Sequence, residues 1–144
     1  MPILNSLARM VAKPLPRMLS PKTHAVVDYL TLGSFLMSAG YFWRHSKRAS
    51  LAALICGSAG LAVNLFTDYP GGVERAISFR THRDIDRGLA AMTAAMPEFL
   101  AFKDDPQRKF FLAQGAIIAA TTELTQFPDK SRHAERRVRR ARAA

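Results

Sequence analysis

Two His-x-x-x-Asp pairs are the residues of this chain best suited to bind a metal ion. His24 is followed four positions later by Asp28, and His82 by Asp86. Residues four apart lie on one face of a helix, so each pair presents an imidazole beside a carboxylate. Two imidazoles and two carboxylates that meet form a ligand set for Zn²⁺, Mn²⁺ or iron. A transition-metal site is therefore one hypothesis for these four residues.

Two other interpretations of the pairs stay open. Two histidines can bind a haem iron from opposite sides while the aspartates orient their ring nitrogens. Alternatively, the pairs are purely structural. Ser20 or Thr23, and Ser78 or Thr81, are candidate N-caps, and a carboxylate in the first turns of a helix is stabilised by the helix dipole. Each His-Asp pair is then a hydrogen-bonded pair at the level of the lipid headgroups.

Both pairs belong to a longer repeat with a constant offset along the chain. The run from Ser20 to Asp28 returns from Ser78 to Asp86. The same register continues through Gly57/Gly115, Thr67/Thr125 and Tyr69-Pro70/Phe127-Pro128. Several of the repeated residues are polar or proline, which chance similarity between apolar segments does not explain. We predict two tandem units, residues 20–70 and 78–128, related by a two-fold axis.

Each unit contains two largely apolar segments. Residues 49–67 carry no charge, and residues 24–43 carry only Asp28, which meets the length required to cross a hydrocarbon core. The segments of the second unit are assigned by the repeat. We predict an all-α fold, an integral membrane four-helix bundle with its pseudo-two-fold axis along the membrane normal. The predicted helices span residues 24–43, 49–68, 84–102 and 109–127.

Small residues on these helices predict which faces pack together, because helices in lipid associate through close backbone approach. The small-residue faces are Ala49, Ala53, Gly57, Gly60 and Asn64 on the second helix, Gly88, Ala91, Ala95 and Glu98 on the third, and Ala116, Ala119 and Glu123 on the fourth. We expect these faces in the interior of the bundle, and such faces also permit a homo-oligomer. The single cysteine, Cys56, is expected to pack as a small apolar side chain.

The distribution of basic residues predicts the orientation in the membrane. The net charge is +10, and fifteen Lys and Arg residues flank the predicted helices on the side of the termini, against six on the other side. This bias places both termini in the cytoplasm of a multi-pass protein of the bacterial inner membrane. The amphipathic basic segment 1–19 and the basic tail 129–144 are expected to contact anionic lipid. An organelle transit peptide is a second interpretation of the N-terminus. Membrane topology accounts for the charge, so we do not expect nucleic-acid binding.

In this topology the repeated polar residues meet at the cytoplasmic end. The first and third helices run in the same direction, and the second and fourth return to the end where the His-Asp pairs lie. Asp68, Glu98 and Glu123 are further candidates for buried polar positions. An ionisable group within a membrane span usually has a partner or a role in ion transfer. A small proton- or cation-coupled carrier or channel that uses Glu98 and Glu123, which belong to opposite ends of the predicted bundle, is therefore a third functional hypothesis.

The layout resembles that of the SPW-repeat proteins, small bacterial membrane proteins built from tandem two-helix units. The resembling segments are Asp28-x4-Gly33-x2-Leu36-x-Ser38-Ala39-x-Tyr41-Phe42 and Arg87-Gly88-x7-Met96-Pro97-x2-Leu100-x-Phe102, each followed by a later glycine, Gly57 or Gly115. Ser38-Ala39-Gly40 and Ala95-Met96-Pro97 replace the name-giving Ser-Pro-Trp. The resemblance implies the fold and the membrane location, and no particular reaction.

The sequence carries no recognised catalytic pattern. A glycine-rich phosphate loop, a nucleophilic serine elbow and a Cys-x-x-Cys motif are all absent from it. The connections between the predicted helices are too short for a separate catalytic domain. We therefore expect a non-enzymatic structural or accessory membrane protein, with a metal- or haem-binding protein and a carrier or channel as the alternatives.

Overall fold

The computed structural model describes residues 16–127, and this range contains four helices and no strand. The helices are α1 (Pro21–Phe42), α2 (Lys47–Leu65), α3 (Phe79–Phe99) and α4 (Arg108–Leu124). The predicted all-α chain of four helices is thereby confirmed. The basic tail and most of the amphipathic N-terminal segment lie outside the described residues.

Helices α1 and α3 begin with the same cap at equivalent positions of the two units. The Ser20 hydroxyl accepts a hydrogen bond from the backbone N–H of Thr23 at 3.2 Å, and Ser78 accepts one from Thr81 at 3.1 Å. A serine oxygen at this position satisfies an amide that has no partner within the helix. Both helices therefore start a few residues before the predicted spans, because the cap and not the first apolar residue sets the start.

The segments before α1 and α3 pair with the segments after α4 and α2. The backbone bonds run from Leu19 N–H to Leu124 C=O and from Gln126 N–H to Leu19 C=O, both 2.9 Å. At the equivalent positions they run from Ile77 N–H to Phe66 C=O and from Asp68 N–H to Ile77 C=O, both 2.8 Å. These bonds hold the C-terminal end of α4 beside the start of α1, and the end of α2 beside the start of α3. All four helix ends therefore meet at one end of the molecule.

Helix α1 packs mainly against α2, and α3 against α4. Small side chains allow the first of these contacts to be close, since Ala39 of α1 and Ala49, Ala53 and Cys56 of α2 are all buried. The Ser50 hydroxyl donates to the Ala39 carbonyl across it at 2.7 Å. The expected small-residue face of α2 and the buried position of Cys56 are thereby confirmed. Larger rings fill the rest of the core, with Phe35 in the middle of α1 and Phe42, Phe102 and Phe111 at the end away from the His-Asp pairs.

The predicted interior faces of α3 and α4 are wrong. Their small residues Gly88, Ala91, Ala95, Ala116 and Ala119 are exposed, and only Gly115, expected beside the predicted face of α4, is buried against α3. The buried face of α3 comprises His82, Asp86, Ala90, Thr93 and Pro97, together with Met96. Residues two positions apart are about 200° apart around a helix, so a face through position 88 cannot also contain position 86. The His-Asp pair, and not the small residues, marks the interior of α3.

Two of the four helices, α1 and α2, are long and apolar enough to cross a membrane by length and composition. Helix α3 carries Arg80, Arg83, Asp84, Asp86 and Arg87 in its first turns, and α4 has 17 residues. Neither α3 nor α4 therefore meets the criteria of length and apolar composition that α1 and α2 meet.

Candidate metal centre

The structure brings His24, Asp28, His82 and Asp86 together at the end where the helix ends meet. The N-caps place each histidine in the first turn of its helix, and each aspartate follows one turn later on the same face. Both imidazoles are fully buried and Asp86 is buried, whereas Asp28 remains partly exposed. The four residues form a cluster in which one ligand atom from each lies within 4.8 Å of the other three.

Five of the six distances within this cluster are those expected of a tetrahedral ligand set, and the sixth, between the two carboxylates, is at most 4.8 Å. The two Nε2 atoms lie 3.3 Å apart. Nε2 of His24 is 3.3 Å from Oδ2 of both aspartates, and Nε2 of His82 is 3.4 Å from Asp28 Oδ2 and 3.1 Å from Asp86 Oδ2. Ligands that bind a tetrahedral Zn²⁺ at about 2.0 Å are about 3.3 Å from one another. The side-chain geometry by itself therefore matches five of the six ligand-to-ligand distances of a tetrahedral zinc site.

Two threonines fix which nitrogen of each imidazole faces the centre. The Thr125 hydroxyl donates to the Thr121 carbonyl at 2.6 Å, so its oxygen is left to accept from His24 Nδ1, which lies 2.8 Å away. Thr67 donates to the Val63 carbonyl at 2.6 Å and faces His82 Nδ1 at 2.9 Å in the same way. Both Nδ1 atoms therefore carry a proton. In the neutral imidazoles the lone pairs on Nε2 then face the centre, as metal binding requires.

The two carboxylates give the cluster a charge that a divalent cation would balance. With neutral imidazoles the cluster carries two negative charges, and burying them without compensation costs several kcal/mol per ion, by order of magnitude. Their other partners are hydroxyls. Tyr69 donates to Asp28 Oδ2 at 3.2 Å, and the Thr122 hydroxyl shares its single proton between Asp86 Oδ2 at 3.3 Å and the Ile118 carbonyl at 2.9 Å. Burial and the neighbouring Asp28 carboxylate raise the pKa of the Tyr69 phenol, which therefore stays protonated and continues to donate.

Aromatic rings pack against both imidazoles. The ring of Phe79 lies 5.4 Å from that of His24, and the ring of Phe127 lies 5.9 Å from it. Tyr69 lies 5.1 Å from the His82 ring and stacks on Phe79 at 5.5 Å. This cover lowers the local dielectric constant, which strengthens the attraction between the cluster and a cation.

A cavity of about 20 Å³ lies beside the carboxylates, on the side of the helices. Thr31 and Asn64, both buried, line it together with Asp28 and Asp86. Asn64 occupies the position of the first unit that is equivalent to Thr122 in the second. The cavity is large enough for a single water molecule and offers it several polar partners.

The sequence missed the residues that hold the ligands in place. The sequence predicts Thr67 and Thr125 at this end of the molecule but assigns them no role. Their contacts with Nδ1 show that they orient the two imidazoles. Tyr69 and Thr122, the partners of the carboxylates, were not predicted at all. The register of the repeat was the available signal for the threonines, since Thr67 and Thr125 stand at equivalent positions, as do His24 and His82.

The three acidic residues predicted as buried polar positions lie outside the cluster. Glu98 and Glu123 are exposed, so that prediction is wrong for both, and Asp68 is partly exposed. Each faces a cation instead: Glu98 lies 3.8 Å from Lys103, Glu123 2.7 Å from Arg87, and Asp68 3.6 Å from Arg75. A carboxylate on an outer face gains hydration as well as a cationic partner, which removes the reason for burying it.

Replacing the threonines by valine should weaken zinc binding. Thr67→Val and Thr125→Val keep the side-chain shape but remove the oxygen that accepts from Nδ1, so each imidazole loses its orientation. We expect each substitution to lower the zinc affinity by about 10- to 100-fold, measured by competition with a chromophoric chelator.

Thr93→Val is the matched control for these variants. Thr93 is equally buried in α3, but its hydroxyl contacts Cys56 Sγ at 3.6 Å rather than a histidine. Its zinc affinity should equal that of the wild type. Equal losses in all three valine variants would show that the threonines act through general packing and not through the imidazoles.

No protein-family model, curated protein or solved structure matches this chain. The resemblance to the SPW-repeat proteins therefore stays a prediction.

Proposed function

We propose that this chain is an integral membrane protein that holds one Zn²⁺ ion in a closed site between its two halves, with a structural rather than an enzymatic role. The observation that carries the proposal is the convergence of two Nε2 atoms and two carboxylate oxygens, with separations of 3.1–3.4 Å. The ion would join α1 to α3 at the end where the four helices meet. It would thus act as a cross-link between segments far apart in the sequence.

The ligand set favours zinc in a structural site. Nitrogen and oxygen donors in a tetrahedron suit Zn²⁺, whereas Mn²⁺ and Mg²⁺ prefer six ligands that are mostly oxygen. Catalytic zinc sites have three protein ligands and leave one position for water or substrate. Here four side chains supply all four positions, and both histidines are fully buried. The site therefore lacks the open position that a reaction would need.

Haem fits this arrangement less well than an ion does. Two imidazoles that bind one iron from opposite sides are separated by about 4 Å, twice a metal–nitrogen bond of about 2.0 Å, and the macrocycle fills the plane between them. The Nε2 atoms are 3.3 Å apart. The carboxylates lie 3.1–3.4 Å from both of them, where the macrocycle would have to be.

Membrane insertion is supported by apolar side chains on the outer faces of α1 and α2. Leu30, Met37 and Tyr41 of α1 are more than 60% exposed, and Leu51 of α2 is 50% exposed. An exposed apolar surface of this extent marks a contact with a partner or a membrane. The charged first turns of α3 and the bias in basic residues support a bacterial inner-membrane orientation with the cluster and both termini at the cytoplasmic face.

A duplication of one two-helix unit would account for the repeated contacts. The N-caps, the backbone bonds at the helix ends, the imidazole–threonine bonds and the two ligand pairs each occur twice, at equivalent positions of the two units. A single His-Asp pair supplies only two ligands. Two copies about a two-fold axis supply the four that a closed zinc site needs.

Membrane fractionation followed by elemental analysis tests the proposal. The wild type should remain with the membranes after a high-salt wash and contain about one zinc ion per chain, without a haem absorption band. The His24→Ala/His82→Ala variant should fractionate in the same way and contain none. A soluble wild-type protein would contradict the membrane assignment. A folded membrane protein with no metal, or with haem, would contradict the zinc assignment.

A further inference from the structure

An apolar groove of about 580 Å³ lies between the first turns of α1 and the turn that follows α2. Its walls are Ala25, Val26 and Leu30 of α1 and Pro70 and Gly71 of the turn, and Lys22 is its charged residue. The Tyr29 hydroxyl donates to the Gly71 carbonyl at 2.6 Å and so ties the two walls together. None of these residues belongs to the zinc ligands. The groove has the size and the apolar lining of a ligand site.

The groove is polar at one end and apolar along its length. Lys22, Val26 and Leu30 are four residues apart and therefore form one row along α1, about 12 Å long. Lys22 is in the first turn, at the basic end of the molecule, where Arg17, Arg75 and Arg80 also lie. Val26 and Leu30 are 59% and 68% exposed. A cation followed by an apolar row matches an anionic head followed by an alkyl chain.

We propose that this groove binds one anionic phospholipid, with its phosphate at Lys22 and an acyl chain against Val26 and Leu30. The inference rests on the proposed membrane location, in which Lys22 lies at headgroup level and Leu30 lies deeper. Met37, two turns after Leu30 on the same face of α1, is also an exposed apolar side chain, as a surface that follows an acyl chain into the bilayer should have. Cations at this level attract anionic lipids of the cytoplasmic leaflet.

The equivalent positions in the second half provide a matched control. In the register of the repeat, Arg80, Asp84 and Gly88 correspond to Lys22, Val26 and Leu30. The row on α3 thus keeps the cation but replaces the apolar residues with an acid and a glycine. The lipid site is therefore expected in the first half only.

Native mass spectrometry of the detergent-purified protein with added phosphatidylglycerol or phosphatidylcholine tests this site. The wild type should retain phosphatidylglycerol in preference to phosphatidylcholine. Lys22→Gln should lower retention of phosphatidylglycerol about fivefold, since a cation at an anionic surface contributes about 1 kcal/mol. Leu30→Gln should lower the retention of both lipids, and Arg80→Gln should change neither.

Three results would overturn the inference. Equal losses in Lys22→Gln and Arg80→Gln would show diffuse attraction to the basic end. Displacement of the lipid by inorganic phosphate would show that the groove binds the phosphate group without the chain. A wild type that fractionates with membranes but retains the two lipids equally would show that the groove does not select an anionic phospholipid. That result would leave the proposed function intact. A wild type found in the soluble fraction would contradict the proposed membrane location itself, on which this inference rests.

Discussion

Zinc should raise the midpoint of thermal unfolding of the wild-type protein by roughly 10 °C, and chelation should reverse the effect. A ligand that binds only the folded state stabilises it by about 4 kcal/mol at a thousand times its dissociation constant. Each kcal/mol raises the midpoint of a protein of this size by about 2–4 °C or more. The proposed ion would join α1 to α3, and it would neutralise two carboxylates whose ligand atoms lie within 4.8 Å of each other. Circular dichroism of the detergent-solubilised protein, with zinc and with chelator, measures the shift.

His24→Ala should abolish the zinc-dependent shift, and His45→Ala is the matched control. His45 is exposed at the opposite end of α1, where its Nδ1 lies 3.1 Å from the Tyr41 carbonyl. Its replacement should leave the full shift in place. The competing explanation is a cluster of two imidazolium and two carboxylate ions that needs no metal. That explanation predicts no effect of zinc on the wild type, and such a result would refute the metal centre.

Local rules allowed much of the cluster to be predicted from the sequence. A serine cap fixes where a helix starts, and the i, i+4 spacing puts His and Asp on one face. The repeat then brings the second pair to the same end as the first. These rules act within a few residues or through a constant offset, so a single sequence is enough to apply them. These rules predict the meeting of the two pairs and narrow the caps to Ser20 or Thr23 and Ser78 or Thr81, of which the structure shows the serines.

The local rules do not predict which faces of α3 and α4 are turned towards the interior. In the proposed membrane location, small residues and apolar residues can face either lipid or another helix, because neither environment contains water. Composition alone therefore does not distinguish the exposed face through Ala91 from the buried face through Ala90. The polar residues decide the rotation, since His82 and Asp86 need partners that only the interior supplies. The face of α3 that contains His82 and Asp86 is the buried face that the structure shows.

The threonine contacts escaped prediction because they join residues far apart in the sequence. Thr125 reaches His24, although 101 positions separate them. A threonine at a helix end is common, and its hydroxyl usually bonds to the carbonyl four residues earlier, as it also does here. Only the packing of the helix ends shows that the same oxygen also accepts from an imidazole.

Gly72→Ala should be the most disruptive small substitution in the turn after α2. A Cβ atom added at Gly72 would lie 1.8 Å from the carbonyl oxygen of Thr67 and 2.9 Å from its carbonyl carbon. Both are backbone atoms, so no change of side-chain rotamer relieves the overlap. We expect a loss of about 3 kcal/mol in the free energy of unfolding, at the upper end for overpacking, measured by denaturant titration of the zinc-free protein.

Gly72→Ala should also lower the zinc affinity, because the backbone it displaces belongs to Thr67. The Thr67 hydroxyl orients His82, so a shift of this residue should reduce the affinity about 10-fold or more, as loss of an outer partner does. Gly40→Ala is the control, since a Cβ there meets nothing within 4 Å, and alanine within a helix is favoured over glycine by roughly 0.5–1 kcal/mol. That variant should keep its zinc affinity and equal or exceed the wild type in stability. A Gly72→Ala protein that is destabilised but binds zinc as tightly as the wild type would contradict this prediction. Such a result would show that zinc binding does not depend on the turn and that Thr67 does not hold His82 in place.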